Sequence, residues 1–328
     1  MEFFAFPCRP KPSTLRGMQP PDMRTESNYV PSALVVENEV VAGLRQLDEL
    51  TVRRVLPNVS QRNVGPFVFL DHMGITYFEA GQGINVRPHP HIGLATLTYL
   101  FSGRVLHRDS LGSVQEIVPG EVNFMVSGRG IVHSERSHPD SPAGPLHGLQ
   151  MWLALPLGQE GCEPRFEHFT SDETPSLNVL GGQLRVVLGE YQGFRSPVQA
   201  PLGATYLDLD LPAGASVSLP ETEERALYVV EGSLDVGGHI VHPGHLAVLK
   251  PGSKGSLTAV TPTRAAFLGG QALETRRFIE WNFVSSSKTA IAAAKERWRN
   301  REFPTVPGDD VEFIPLPAEH PSSLIPSQ

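Results

Sequence analysis

The chain is poor in cysteine and in positive charge. Its 328 residues include two cysteines, Cys8 and Cys162, and neither belongs to a Cys-x-x-Cys pair. Two cysteines cannot build a disulfide framework, so a reducing, cytoplasmic setting is expected. Asp and Glu number 35 against 27 for Lys and Arg, which gives a formal net charge of −8. An acidic chain offers no broad basic surface, so we expect no direct binding to nucleic acid or to an anionic membrane.

Long apolar runs are also missing. No run approaches the roughly 20 residues that a membrane-spanning helix needs. The first residues, MEFFAFP, carry no basic residue before their short apolar stretch, which makes them a poor signal peptide. The chain instead has length for two ordinary domains. Glycine and proline turns separate short β-like segments such as 94–101, 105–109 and 122–126, which predicts an all-β fold of the sandwich or barrel type.

An internal repeat relates the two halves of the chain. Residues 99–103 read YLFSG and residues 228–232 read YVVEG, and a Pro-Gly turn follows each, at Pro119 and at Pro243. Such a repeat predicts two related barrels. Residues 1–31 contain six prolines, so they resist regular backbone pairing and are expected to form an arm. The predicted parts are therefore an arm at 1–31, a first domain at 32–165, a second at 166–280, and a C-terminal helix and tail at 281–328.

Two histidine-bearing stretches stand out in the first half. Residues 87–93 read RPHPHIG and supply His89 and His91, and residues 130–135 read GIVHSE and supply His133 and Glu135. Residues i and i+2 of a strand point to the same face, so each stretch projects two ligand-type side chains to one side. Three imidazoles and a carboxylate suit a divalent transition metal. A single His-x-His often has a purely structural role, but the second pair favours a metal site.

The second half lacks this set. The positions at the same offsets from the repeated motifs are Ser218, Pro220, Leu257 and Ala259. One barrel framework therefore carries the polar cluster and the other does not, which favours a functional origin for the cluster. His242 and His245 flank the second Pro-Gly turn and are expected to be solvated loop residues.

Other polar residues near the histidines have simpler interpretations. Asp71 and His72 follow a short apolar strand and are expected in a turn with hydrogen-bonding roles. His107 and Asp109 alternate on a strand outside the two ligand stretches, and a supporting or structural role is expected for them. At the other end, residues 286–300 are expected to form a packing helix. Its N-terminal cap would come from residues 285–287, and its apolar stripe is Ile291, Ala294 and Trp298.

These residues carry a resemblance to a known family. The stretch RPHPHIGLATLTYLFSGRVLHRDSLGSVQEIVPGEVNFMVSGRGIVHSE resembles the metal-binding domain of the pirin family, in the cupin superfamily. ALYVVEGSLDVGGHIVHPGHLAVL resembles the pirin C-terminal cupin, and EWNFVSSSKTAIAAAKERWRNREFPTVPGDD resembles the tail of bacterial pirin-like proteins. The likeness runs from about residue 34 to about 316. It implies two tandem cupin domains, each a jelly-roll β-barrel, followed by a C-terminal helix.

The resemblance also implies a ligand set. His89 and His91 match the first two metal ligands of the family, His133 matches the third, and Glu135 matches the carboxylate ligand. Iron is the usual metal, as Fe(II) in the enzyme interpretation, and related cupins accept Mn, Ni, Co, Cu or Zn. Many pirins and other cupins have a glutamate a few residues after the His-x-His, where this chain has Ala95. That departure puts in doubt any role that needs a second acid in the pocket.

Two functions follow from the resemblance. The first is a metal-dependent dioxygenase of the quercetin 2,3-dioxygenase type, acting on a flavonol or similar small aromatic substrate with O₂, with Glu135 as catalytic proton acceptor. The second is a redox-responsive iron-binding regulator that acts through a protein partner. A weaker third is a degenerate cupin that binds adventitious metal, against which the intact ligand set argues. A monomer is expected. Three further groups of side chains are candidates for supporting roles. Residues that could orient the metal ligands are Asp71, His107, His147 and Gln150. An apolar pocket could be lined by Phe69, Phe101, Phe124 and Met125, and a basic patch near the metal could be formed by Arg87, Arg104, Arg108 and Arg129.

Overall fold

The structure, a computed structural model, describes residues 33–47, 50–138 and 140–318. The predicted arm, residues 1–31, lies outside this range. Among the described residues no helix has the length and apolar character needed to cross a bilayer. The strands are β1 (Val36–Val41), β2 (Gly43–Leu47), β3 (Leu50–Leu56), β4 (Phe67–Phe78), β5 (Asn85–His91), β6 (Leu94–Ser102), β7 (Val105–Asp109), β8 (Val114–Ile117), β9 (Val122–Val126), β10 (Ile131–Arg136), β11 (Gly144–Ala154), β12 (Arg165–Phe169), β13 (Ser176–Val179), β14 (Gly182–Leu188), β15 (Glu190–Tyr191), β16 (Phe194–Arg195), β17 (Thr205–Leu211), β18 (Ser216–Ser218), β19 (Glu224–Glu231), β20 (Leu234–Val236), β21 (His239–Val241), β22 (His245–Leu249), β23 (Ser256–Ala259), β24 (Thr263–Gly270), β25 (Phe278–Glu280) and β26 (Phe283–Ser285). One α-helix, α1 (Lys288–Arg299), and two short 3-10 turns, Leu157–Gln159 and Pro201–Gly203, complete the described elements.

The two halves of the chain build sheets of matching order. The first half gives a seven-stranded sheet, β12-β9-β6-β11-β4-β3-β2, and a four-stranded sheet, β5-β10-β7-β8. The second half, joined by β1 from the first, gives β1-β22-β19-β24-β17-β14-β13 and β18-β23-β20-β21. Each strand of one set has a counterpart at the same place in the other. This correspondence confirms the repeat and the all-β architecture predicted from the sequence.

Period-two alternation explains how the sheets pack. On β6, Ala95, Leu97 and Tyr99 belong to a large core that also contains Tyr228 of β19. Leu227, which directly precedes Tyr228 on β19, belongs instead to the core inside the second barrel. Because successive side chains of a strand point to opposite faces, both central strands are buried on both sides. The two seven-stranded sheets therefore pack face to face, and each closes its own barrel on the far side.

Strand β1 does not join the barrel that its position in the sequence predicts. It lies before the first barrel and within the range 32–165 predicted for the first domain, yet it pairs with β22 in the sheet of the second barrel, with Val41 opposite His245. β12 occupies the corresponding place beside β9. The pairing satisfies the backbone groups of an edge strand, which otherwise need another partner. His245 lies on β22 and bonds Glu39 at 2.6 Å, so it is not the solvated loop residue expected from the sequence.

Strand β4 continues through the place where a turn was predicted. Asp71 and His72 lie inside its twelve residues and are buried. The strand can hold them because their polar atoms have partners. Asp71 accepts two hydrogen bonds from Arg54, at 2.8 and 2.7 Å. His72 bonds Tyr228 Oη and His147 Nε2, both at 2.8 Å, so the predicted hydrogen-bonding role is confirmed although the predicted turn is wrong.

The C-terminal helix has the predicted cap and the predicted apolar stripe. Helix α1 follows Ser287, whose side chain accepts a hydrogen bond from Ala290 N. Its buried residues are Ile291, Ala294 and Trp298. These pack with residues of the first barrel, Ile92 and Val132, in one apolar cluster. Helix α1 is thereby held against the segments that carry the histidines.

Candidate metal centre

Two neighbouring strands bring the predicted histidines together. β5 and β10 pair antiparallel, with His133 directly opposite His89. A bulge follows, since the register shifts between His133 and Glu135. The imidazoles of His89, His91 and His133 are buried, and one ring nitrogen of each lies within 4.8 Å of the others. The convergence predicted from two i, i+2 pairs is confirmed for these three side chains, which we call the histidine trio.

Backbone carbonyls orient the first two rings. His89 Nδ1 lies 2.9 Å from Arg87 O, and His91 Nδ1 lies 2.9 Å from Asn282 O. A carbonyl oxygen can only accept, so Nδ1 of each ring must carry the proton. The Nε2 atoms of His89 and His91 therefore present lone pairs. This arrangement is the one in which histidine binds a metal through Nε2 with its other nitrogen held in place.

A carboxylate orients the third ring through another histidine. His107 Nε2 donates to Asp109 Oδ2 at 3.0 Å, and in the neutral ring His107 Nδ1 is then an acceptor. That atom lies 3.5 Å from Nδ1 of His133, so the His133 proton is assigned to Nδ1. Nε2 of His133 then also carries a lone pair. The supporting role predicted for His107 and Asp109 agrees with this geometry.

The resulting donor set fits a cation. His91 Nε2 and His133 Nε2 lie 3.1 Å apart, and by the assignment above neither carries a proton. Two lone pairs at this distance repel each other unless a positive ion lies between or beside them. Burial lowers the pKa of His89 to about 4 and holds those of His91 and His133 well below the usual histidine range. The rings are therefore neutral at pH 7, as metal ligation requires.

Glu135 lies beside the trio without joining it. The group of ligand atoms within 4.8 Å of one another consists of the three histidines, and Glu135 Oε1 instead meets the Thr98 hydroxyl at 3.2 Å. That hydroxyl also lies 2.8 Å from Gln150 Oε1. Burial raises the pKa of Glu135, while the hydrogen bond from the Thr98 hydroxyl acts in the opposite direction. Ligation by Glu135 stays a prediction.

Aromatic rings border the site. The Trp152 indole lies edge-on to His91, with ring centroids 5.1 Å apart, and stacks on Phe69 at 4.0 Å. Phe166 stacks on His107 at 4.3 Å. Among the pocket residues suggested by the sequence, Phe124 belongs instead to the core between the sheets, because it lies on the opposite face of its strand. Phe101 packs at the same inter-sheet face.

Two other candidates lie on opposite faces of the large sheet. His147 contacts His72 at the face between the two seven-stranded sheets. Asp71 shares the other face of β4 with Phe69, and it accepts hydrogen bonds from Arg54, whose guanidinium lies over the Phe69 ring at 4.4 Å. Sequence reasoning also missed Asn282, whose carbonyl orients His91 across 191 positions of the chain. No local pattern could have revealed that contact. Thr98 was missed as well, although its alternation with Thr96 on β6 was a signal for a polar barrel interior.

The suggested basic patch is partly neutralised. Arg104 pairs with Glu116 at 3.1 Å, and Arg129 pairs with Glu163 at 2.7 Å. The first pair is partly exposed and the second largely exposed, so each adds little stability, but each reduces the local positive charge. The arrangement therefore gives no specific support to an acidic protein partner at this surface.

The second barrel has no equivalent of the trio. By sheet order, β23 is the counterpart of β10, and its residues Leu257 and Ala259 are buried in the apolar core of that barrel. Within the described ranges the trio of the first barrel is the only cluster of three or more ligand-type side chains. Two fused cupin barrels with a histidine trio in the N-terminal one define the class of protein, a bicupin with a single candidate metal centre.

Comparison with known proteins specifies the family. A sequence model described as Pirin matches residues 49–153, and one described as Pirin C-terminal cupin domain matches residues 206–304. The chain belongs to the pirin family. It is 43% identical to a pirin-like protein of Caulobacter vibrioides, over 83% of this chain and 96% of that protein. It is 30% identical to human pirin, over 76% of this chain and 86% of that protein.

A solved structure extends the comparison. The crystal structure of a quercetin 2,3-dioxygenase from Acinetobacter baumannii matches with a TM-score of 0.80 at 31% identity. The match covers 87% of this chain and 96% of that one. Both barrels and their connection are therefore shared with that protein.

Proposed function

We propose that this chain is a metal-dependent dioxygenase of the quercetin 2,3-dioxygenase type. The substrate would be a flavonol or a related aromatic compound with an acidic ring hydroxyl, and O₂ would be the second substrate. The observation that carries the proposal is the buried histidine trio, in which His91 Nε2 and His133 Nε2 lie 3.1 Å apart. The similarity to the Acinetobacter baumannii quercetin 2,3-dioxygenase supports it.

In this proposal His89, His91 and His133 hold the metal and Glu135 supplies the carboxylate. Imidazole with one carboxylate suits Fe(II), and Mn, Ni, Co, Cu and Zn are chemically compatible. When bound, a divalent transition metal supplies Lewis acidity that lowers the pKa of a coordinated hydroxyl. The carbonyls of Arg87 and Asn282 keep the first two rings in the orientation that ligation needs.

Glu135 is the group that would accept the substrate proton. Its carboxyl is buried, and burial raises its pKa, which makes the carboxylate a better base. The Thr98 hydroxyl, 3.2 Å from Oε1, would keep the carboxyl directed along the barrel interior. Trp152 and Phe69, both 7% exposed, would exclude water from one side of the reaction.

The test is metal-loaded oxygen uptake. Apoprotein would be reconstituted anaerobically with Fe(II), metal content measured, and O₂ consumption followed with a panel of flavonols. Stoichiometric metal with flavonol-dependent uptake, both lost in His89→Ala, is the expected result. The matched control is His242→Ala, an exposed histidine of the second barrel, which should keep both.

Two outcomes would count against the proposal in different ways. Stoichiometric metal without uptake on any flavonol would contradict the dioxygenase and leave the redox-responsive regulator with a protein partner as the remaining prediction. Absence of bound metal in the wild-type protein would contradict both functions.

A further inference from the structure

The strand that carries His89 and His91 lies at the edge of its sheet. In the order β5-β10-β7-β8, β5 pairs with a neighbour on one side only. An edge strand presents a row of backbone groups that lack ladder partners. Pro88 and Pro90 have no amide hydrogen to offer, which suits an edge position. The segment that covers this edge therefore helps to hold His89 and His91 in position.

Residues 282–314, which we call the C-terminal brace, cover that edge. Ile314 N donates a hydrogen bond to Pro88 O at 2.8 Å. Val284 N donates to Ile92 O at 3.2 Å. These contacts lie on either side of the two histidines along the strand. The edge is thus paired with a segment that comes about 190 to 230 positions later in the chain.

The brace reaches one imidazole directly. The carbonyl of Asn282, its first residue, accepts the Nδ1 proton of His91 at 2.9 Å. The first barrel does not supply this acceptor, so the Nε2 lone pair of His91 is directed by the brace. Such supporting acceptors set both the tautomer and the orientation of a metal-binding ring.

The brace is also joined to the other ligand strand. Arg136 directly follows Glu135 on β10, and it donates to Asp309 twice, from Nε at 2.6 Å and from Nη2 at 2.7 Å. Near the start of the same strand, Arg297 Nη1 donates to Arg129 O at 3.0 Å. The Arg136–Asp309 pair is mostly buried, with 20% and 11% of the side chains exposed, and a bidentate pair in such a place holds geometry well.

We propose that the C-terminal brace is a positioning element of the metal centre, with Asp309 as its positioning residue through Arg136. The brace fixes β5 and β10 relative to each other, so the separation and orientation of the trio depend on it. A divalent transition ion is the ligand whose affinity it sets. This inference rests on the proposed function only in requiring that the trio binds such an ion.

The experiment measures metal binding rather than activity. Full-length apoprotein would be titrated with Co(II) and with Ni(II), against a competing chelator, while the visible Co(II) spectrum reports the ligand geometry. Asp309→Asn should weaken binding about tenfold and alter the spectrum, because loss of a supporting group costs 10- to 100-fold in metal affinity. Asp309→Glu should recover part of the affinity. The control Lys295→Gln breaks a brace ion pair with Glu280, 3.0 Å long, that touches neither ligand strand.

A second pair of variants keeps the test decisive if Asp309→Asn fails to fold, as judged by circular dichroism. Ile314→Pro removes the N–H that bonds Pro88 O, and Val311→Pro is its control at a position 91% exposed in the same segment. Weaker binding in Ile314→Pro but not in Val311→Pro supports the brace. Wild-type affinity and spectrum in both Asp309→Asn and Ile314→Pro overturn it while the metal centre stands. Failure of the wild-type protein to bind either ion would contradict the metal centre itself.

Discussion

His91 Nε2 and His133 Nε2 lie 3.1 Å apart, and neither carries a proton in the tautomers assigned from the partners of their Nδ1 atoms. The other nitrogen of each ring is committed as a donor, to Asn282 O and towards His107 Nδ1. Neither ring can turn to relieve the contact without losing that bond. The site is therefore arranged for a cation.

The first prediction concerns stabilisation by metal. An ion that binds only the folded protein stabilises it by about 2.7 kcal/mol at a concentration of 100 times its dissociation constant. Co(II) should therefore raise the melting temperature of the apoprotein, and His133→Ala should abolish the shift. The control His242→Ala should keep it. An equal shift in His133→Ala would show that Co(II) binds elsewhere.

The second prediction concerns the acceptor behind His133. In the structure Asp109 Oδ1 accepts hydrogen bonds from the backbone amides of Leu111 and Ser113, at 2.9 and 3.1 Å. Asp109→Asn keeps the shape of the side chain and an oxygen for these two bonds. It removes the charge that fixes the His107 tautomer. Metal affinity should fall by about 10- to 100-fold, measured by chelator competition. Unchanged affinity would contradict the proton assignment on His133.

The third prediction concerns Thr98. Thr98→Val is nearly isosteric and removes the hydroxyl that lies between Glu135 and Gln150. Loss of this hydrogen bond would let the Glu135 carboxyl move out of line with the substrate. If the full energy of the bond, about 1.4 kcal/mol, is lost from the transition state, turnover should fall about tenfold. The Co(II) affinity of the trio should change little. Thr96→Val, two residues earlier on the same strand and also buried, is the control. Loss of metal rather than turnover would place Thr98 in the support of the ligands instead.

The fourth prediction concerns acid stability without metal. Burial lowers the pKa of His72 to about 3, with His147 and Arg53 adding to the effect, against about 6.5 in an unfolded chain. Below pH 6.5 the unfolded state gains a proton that the folded state does not, so stability falls with falling pH until about pH 3. Between pH 6.5 and pH 5 this one group should cost about 2 kcal/mol.

Urea denaturation of the apoprotein at these two pH values measures that loss. His72→Gln should reduce the pH dependence by this amount, because an amide does not titrate. His138→Gln, at a histidine whose side chain is 37% exposed, is the control and should keep the wild-type slope. The same slope in His72→Gln as in the wild-type protein would contradict the assignment.

The fifth prediction concerns Gly93, two residues after His91. Its φ of +69° lies in the left-handed region, and an added Cβ would collide with the carbonyl oxygen of Val284 in the brace. Gly93→Ala should lose more than about 3 kcal/mol, through strain and displacement of that segment. Gly112→Ala, with φ of +91° and open space around the added atom, should lose only about 1 kcal/mol. Equal losses in thermal or urea unfolding would mean that the clash relaxes without cost.

The sequence by itself determined the barrels, the trio and the helix. Strand alternation and Pro-Gly turns are local properties, so they predict β-structure at the level of single segments. The i, i+2 spacing of His89 with His91 fixes which face both occupy, because the strand period is two. The matching strand orders confirm what the repeat around Tyr99 and Tyr228 predicted. The helix after Ser287 was also predicted from local features of the sequence, its N-terminal cap and its apolar stripe.

Only the tertiary structure decided how the ligands are held. The carbonyl of Asn282, the pairing of Asp309 with Arg136, and the placement of β1 beside β22 all join segments far apart in the chain. Backbone groups left unpaired at a strand edge accept any suitable donor or acceptor that the fold brings near, whatever its side chain. No residue type marks such a contact in advance. The side chains that can bind a metal can therefore be recognised in the sequence, whereas the orientation of their rings depends on packing between distant segments.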